Sequence, residues 1–154
     1  MMKLCSDVLT ALAGKTLVTA ESLTGGGIGA ALTAVSGSSA VYKGGIISYT
    51  NWVKENVLGV PGEVLQTHGA VSLPVAEAMA IGARRVLQAD VAVSVTGLAG
   101  PGGDDYGNPV GTVCIGFSNA QESFAVKHHF EGGREEVRSQ TIRAALELVL
   151  DHHQ

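Results

Sequence analysis

Thr16-Leu-Val-Thr-Ala20, Glu21-Ser-Leu-Thr-Gly-Gly-Gly27 and the small-residue run Ile28 to Val35 decide the fold of this chain. The first reads as a short buried strand, the second as a turn and the third as a helix, which makes a strand, loop, helix unit. Upstream, Leu4, Val8, Leu9 and Leu12 recur at helical spacing before Gly14, predicting an opening amphipathic helix that contains Cys5. Downstream, Tyr42 to Thr50 predicts a second strand, with Asn51 as N-cap of a short helix through Val53 and Val57 to Gly59. Turn-forming residues around Pro61 and Gly69 lead to Ser72 and Pro74, which announce a long helix through Met79, Ile81, Val86 and Leu87. Asp90 to Thr96 is a nearly continuous apolar strand, and the glycine-rich loop Gly97 to Gly107 follows it. Val110 to Ser118 and Ser123 to Phe130 predict a hairpin, and Gly132-Gly133 introduces a final helix from about Glu135 to Leu150. Parallel-type crossovers with one late hairpin predict an α/β fold over residues 1–154. It is a single three-layer α/β/α domain with a mixed, mainly parallel sheet, both faces covered by helices.

The composition fits one packed domain: 154 residues, 45% hydrophobic and 16% charged. A net charge of -4 supplies no general attraction for phosphate backbones or anionic lipid, so neither nucleic acid nor a membrane is an expected partner. Apolar runs are strand-sized, and Met1 to Lys15 lacks the features of a signal sequence. Cys5 and Cys114 form neither a disulfide framework nor a metal-ligand spacing, which fits a cytoplasmic location. Cys114 lies in the alternating strand Val113 to Phe117 and reads as a small buried hydrophobe. His68, His128, His129, His152 and His153 show no metal-site pattern. No metal is expected.

Open α/β sheets bind ligands beyond the carboxyl ends of their strands, which directs attention to the loops after Ala20, Thr50 and Thr96. Ser22 follows a strand and precedes three glycines, so its hydroxyl can project beside free backbone N–H groups; capping the next helix is its commoner role. Lys54 falls about one turn into a short helix, where the positive helix end and partial burial both favour neutral amine. Such an amine can serve as base for a serine; a solvated lysine paired with Glu55 is the alternative. Tyr49 is either a half-buried strand residue or a proton relay between the two. Arg134 and Arg138 share one face at the start of the last helix, where they can bind phosphate or pair with Glu131 and Glu135.

Gly25-Gly-Gly27-Ile-Gly-Ala30 also fits the dinucleotide pattern Gly-x-Gly-x-x-Gly/Ala, which raises a Rossmann-type reading. That pattern expects an acid about 20 positions on. Ser48, Tyr49, Thr50 and Asn51 stand there instead.

Several motifs run in order along the chain: Ala20-Glu-Ser-Leu-Thr-Gly-Gly26, Gly37-Ser-Ser-Ala40, Gly44-Gly-Ile-Ile-Ser-Tyr-Thr-Asn51, Lys54, Leu58-Gly-Val60, His68-Gly-Ala-Val-Ser72, Thr96-Gly-Leu-Ala-Gly-Pro101 and Pro109-Val-Gly-Thr112. Together they resemble the CinA C-terminal domain family. The resemblance implies a cytoplasmic nicotinamide-nucleotide amidase that converts nicotinamide mononucleotide to nicotinic acid mononucleotide and ammonia, in pyridine-nucleotide recycling, without cofactor. It implies Ser22 as nucleophile, Lys54 as base and Tyr49 beside them. Thr24, Gly25, Gly26, Thr96, Gly97, Gly100, Arg134 and Arg138 are then expected to bind the substrate, the arginines at its phosphate. Leu23 stands where the family often has cysteine, and Gly132-Gly-Arg134 replaces a common Gly-Asp-Arg. Members occur alone or behind a larger N-terminal domain, and the standalone form is expected here; a homo-oligomer is compatible with it. The rival from another class is a non-catalytic nucleotide-binding domain on the same fold.

Overall fold

The computed structural model describes residues 1–154. Helix α1 (Met2–Ala11) precedes β1 (Leu17–Glu21), α2 (Gly27–Thr33), β2 (Tyr42–Ile47), α3 (Asn51–Asn56), α4 (Gly62–His68), α5 (Leu73–Val86), β3 (Val91–Gly97), β4 (Thr112–Ser118), β5 (Ser123–His129) and α6 (Arg134–Asp151). The sheet order is β2-β1-β3-β4-β5. β1 runs parallel to β2 and β3, and β4 is antiparallel to both β3 and β5, so only β4 points against the others. The expected mixed sheet follows from these strands.

Alternation along the strands divides the core. Leu17, Val91, Val93, Val95, Val113, Ile115 and Phe117 pack with α1, α2 and α6. Val18, Ala20 and Ala92 face the other way, against Leu58 and the α4–α5 residues Leu65, Val75, Met79, Ala80 and Ala83. The three layers are therefore α1/α2/α6, the sheet, and α3/α4/α5.

Several boundaries have identifiable causes. Ser72 caps α5 by accepting from the Val75 N–H, with Pro74 in the first turn. The α3 cap differs from expectation: Thr50, extended at φ -103 and ψ 161, accepts from the Val53 N–H, and Asn51 is the first helical residue. Helix α4 was not legible, because with Leu65 its sole buried residue it has no apolar stripe.

Two glycines bring elements closer than a side chain would allow. A Cβ on Gly82 would meet the Leu58 carbonyl, so α5 lies directly on the residues that leave α3. A Cβ on Gly45 would meet the hydroxyls of Thr19 and Tyr42, which hydrogen-bond to each other at 2.8 Å. An extra residue in β2 matters for the site: Leu17 pairs with Tyr42, but Val18 pairs with Gly44. This bulge turns the later residues of β2 over, so that Ile46, beside Ala20, packs against the α3/α4/α5 layer.

Candidate active site

The carboxyl ends of the three neighbouring parallel strands deliver a row of hydroxyl residues. Glu21 pairs with Ile47 and Val95, and the next backbone bonds continue both ladders: Ser48 N–H donates to the Glu21 carbonyl at 2.8 Å and Ser22 N–H to the Val95 carbonyl at 3.1 Å. Ser48, Ser22 and Thr96 therefore stand side by side on the α3/α4/α5 face. Ser22 is 7% exposed.

Lys54 reaches this row from α3. Its Nζ lies 3.3 Å from Ser22 Oγ, 2.8 Å from the Ser48 carbonyl and 3.4 Å from the Tyr49 carbonyl. A neutral amine has two N–H donors and one lone pair, which matches two carbonyls and one hydroxyl. Lys54 is 1% exposed, and burial lowers its pKa from 10.5 to about 8. The expected contribution of a positive helix end is replaced by this desolvation, because α3 is only 6 residues long and Lys54 belongs to its last turn.

Ser22 opens onto a cavity of about 310 Å³. Its walls include Leu23, Tyr49, Lys54, Ala70 and Val71, the Thr96–Gly100 segment and Arg134. That volume lies at the lower end of small-molecule pockets. Tyr49 is 60% exposed, and its hydroxyl meets Arg134 Nη2 at 3.4 Å rather than Ser22 or Lys54. Arg134 also donates to the Gly100 carbonyl at 2.6 Å. Thr96 Oγ1 donates to the Ala70 carbonyl at 2.9 Å, which ties the third strand end to the turn before α5.

The two arginines differ in placement. Arg138 does not line the cavity; its Nε donates to the Leu23 carbonyl at 2.9 Å and its Nη2 to the Thr24 carbonyl at 3.1 Å. It braces the loop after the serine. Within that loop, the Gly25 and Gly27 N–H groups are committed to the Ser22 and Thr24 carbonyls, whereas those of Leu23, Thr24 and Gly26 have no protein partner. Free donors beside Ser22 are thus Leu23, Thr24 and Gly26, without the expected Gly25.

Glu21, which is not among the candidate residues read from the sequence, braces the site from behind. Its Oε1 accepts from Thr24 Oγ1 at 2.7 Å and from the Ile28 N–H at 2.8 Å; its Oε2 accepts from Thr19 Oγ1 at 3.1 Å and from the Gly29 N–H at 3.0 Å. Four donors match the acceptor capacity of a carboxylate. The N-terminal donors of α2, which a dinucleotide pyrophosphate would need, are occupied by the chain's own side chain. The signal was available as an acid immediately before Ser22 at the end of a buried strand.

Other groups stand apart. Cys114 is fully buried in β4, and burial pushes its thiol up to about 11, as suits an inert core residue. No cluster of three or more His, Cys, Asp or Glu side chains is assembled to hold a metal, and no helix is long and apolar enough to cross a membrane.

The sequence profile described as the CinA C-terminal domain matches residues 1–153. A CinA-like protein of Parasynechococcus marenigrum is 50% identical over 150 residues, covering 95% of this chain and 36% of the relative. One of Mycolicibacterium gilvum is 47% identical over 144 residues, covering 93% of this chain and 34% of the relative. The chain thus spans about a third of the length of these curated relatives. Among solved structures, the competence damage-inducible protein A (ComA) of Klebsiella pneumoniae superposes with a TM-score of 0.95 at 35% identity, covering 98% of this chain and 95% of that one. The competence/damage inducible protein CihA of Agrobacterium tumefaciens gives 0.94 at 41% identity, covering 99% and 95%.

Proposed function

The chain belongs to the CinA C-terminal domain family, and within that family we propose that it is an amidohydrolase converting nicotinamide mononucleotide to nicotinic acid mononucleotide and ammonia. The observation that carries this reading is the 3.3 Å approach of a buried lysine, its pKa lowered to about 8, to Ser22 Oγ on the wall of a cavity. A serine hydroxyl needs a base to become a nucleophile, and a desolvated amine supplies one.

In the proposed reaction, Ser22 Oγ attacks the carboxamide carbon while its proton passes to Lys54 Nζ. The direct contact leaves Tyr49 no gap to bridge. The oxyanion is met by N–H groups among Leu23, Thr24 and Gly26. Collapse breaks the carbon–nitrogen bond, Lys54 returns the proton to the departing nitrogen, and ammonia leaves. Water then attacks the acyl-serine with Lys54 again as base; the bond between the acyl carbon and Ser22 Oγ breaks, Lys54 returns the proton to Ser22 Oγ, and the product leaves as the carboxylic acid, which ionises in solution. Protein groups and water suffice for every step. Thr96, Gly97 and Gly100 shape the cavity wall, and Arg134 meets the substrate phosphate from its rim, while Arg138 holds the loop that carries Thr24, Gly25 and Gly26. Such an enzyme would work in the cytoplasm, in pyridine-nucleotide recycling.

The test is ammonia release from nicotinamide mononucleotide by wild type, Ser22→Ala and Lys54→Ala. Loss of turnover in both folded variants is expected. Undiminished turnover in either removes the pair from the mechanism, and nucleotide binding without ammonia from wild type favours a non-catalytic binding domain.

A further inference from the structure

On the α3/α4/α5 face, the three parallel strands and their extensions bury four hydroxyls, and three of them are engaged. Ser94 Oγ donates to the Ala76 carbonyl at 2.6 Å, Thr96 Oγ1 to the Ala70 carbonyl, and Ser22 Oγ meets Lys54. The fourth, Ser48, is 0% exposed and its Oγ has no hydrogen-bond partner. A hydroxyl buried without a partner is costly, and a valine or alanine would fill the place without that cost.

Its position suggests what the hydroxyl is for. The bulge in β2 brings Ser48 beside Ser22 on the face where Lys54 lies, and the Ser48 carbonyl already holds the amine at 2.8 Å. Once Lys54 carries the serine's proton, it has three N–H donors. One must point at the departing nitrogen, leaving two to be held. The Ser48 carbonyl takes one; the Tyr49 carbonyl, at 3.4 Å, is a weak second acceptor. We infer that Ser48 is a positioning residue whose hydroxyl accepts a hydrogen bond from the protonated Lys54 amine, steadying it during the reaction. This rests on the reading of Lys54 as base.

No charged side chain competes for that task. Tyr49 and Arg134 are the other titratable groups on the cavity wall, and they meet each other. Glu21 points to the opposite face with its four donors, the Glu55 carboxyl lies beside Gly62, and Arg85 donates to the Leu58 carbonyl. Burial is the sole cause of the Lys54 shift.

The proposal is tested by NMR titration of Lys54 in protein carrying ¹³C-labelled lysine ε-carbons, its resonance assigned with Lys54→Met. Ser48→Ala and Ser48→Cys both remove the oxygen, but cysteine keeps the volume. Both are expected to lower the Lys54 titration midpoint by about one pH unit, since a hydrogen bond to the charged form is lost. A midpoint unchanged in both overturns the proposal, as does a fall in the alanine variant alone, which would mark a packing effect. Removal of a merely structural orphan would raise the thermal midpoint without moving this titration. Ammonia release is measured alongside: a shifted midpoint in a protein that releases none from nicotinamide mononucleotide keeps the Ser48 role and discards the substrate.

Discussion

Glu21 and Ser22 are consecutive in β1 and its extension, yet they serve opposite layers. Strand alternation sends the Glu21 carboxyl to α2, where the Ile28 and Gly29 N–H groups meet it, and the Ser22 hydroxyl to Lys54 of α3. One residue fixes the loop after Ser22 from behind while the next presents the proposed nucleophile in front.

Replacing Glu21 by Gln puts an NH2 group against two donors on whichever oxygen it replaces. With each oxygen of the buried carboxyl accepting two bonds, the expected loss of stability is about 2–3 kcal/mol. Urea unfolding measures it, and kcat for ammonia release should fall in the variant under conditions where it remains folded. An unaltered unfolding midpoint would show that the four bonds contribute nothing net.

The pH profile of catalysis follows from the protonation of Lys54. A base must be neutral, and burial sets its pKa at about 8. In wild type, kcat/KM should rise about tenfold per pH unit below that value and level off above it. A profile that is flat between about pH 6 and 9 is incompatible with Lys54 as the base.

Stability depends on the same group with a definite sign. The folded pKa, about 8, lies below the ordinary 10.5, so between them the unfolded chain binds more protons and stability rises with pH. Below the folded value the cost of burying the lysine is constant, about 3 kcal/mol. Relative to Lys54→Met, which does not titrate there, wild type should therefore gain stability from pH 8 upward, as read by chemical unfolding at pH 7, 8.5 and 10. Parallel curves would contradict the depressed pKa.

Much of this architecture is written in local patterns. The Ser72 and Pro74 start of α5, the apolar run of β3 and the late hairpin each follow from a few neighbouring residues. The approach of Ser22 to Lys54 required more, because 32 residues separate them and only the parallel pairing of β1 with β2 joins their loops. Ordered motifs single out both residues, while local spacing by itself favours a helix cap and a surface lysine. Ser48 was illegible for a different reason: the bulge between Tyr42 and Gly44 inverts the face of the strand, and nothing in simple alternation announces it. Glu21 depends on donors that exist only after α2 has formed.

The separation of Arg134 from Arg138 gives the last prediction. Both were expected at a phosphate, but Arg134 lines the cavity and Arg138 spends its guanidinium on the Leu23 and Thr24 carbonyls. Arg134→Ala removes a charged donor from the cavity rim, so the KM for nicotinamide mononucleotide should rise by about tenfold or more with kcat less affected. Arg138→Ala leaves two carbonyls without their donors and loosens the loop whose N–H groups would face the oxyanion of the proposed reaction. Its kcat should fall by about tenfold or more while KM changes little. Steady-state kinetics on the two variants distinguishes the roles: matching rises in KM would restore a two-arginine phosphate clamp, because a loop brace acts on the transition state and a rim cation acts on bound substrate.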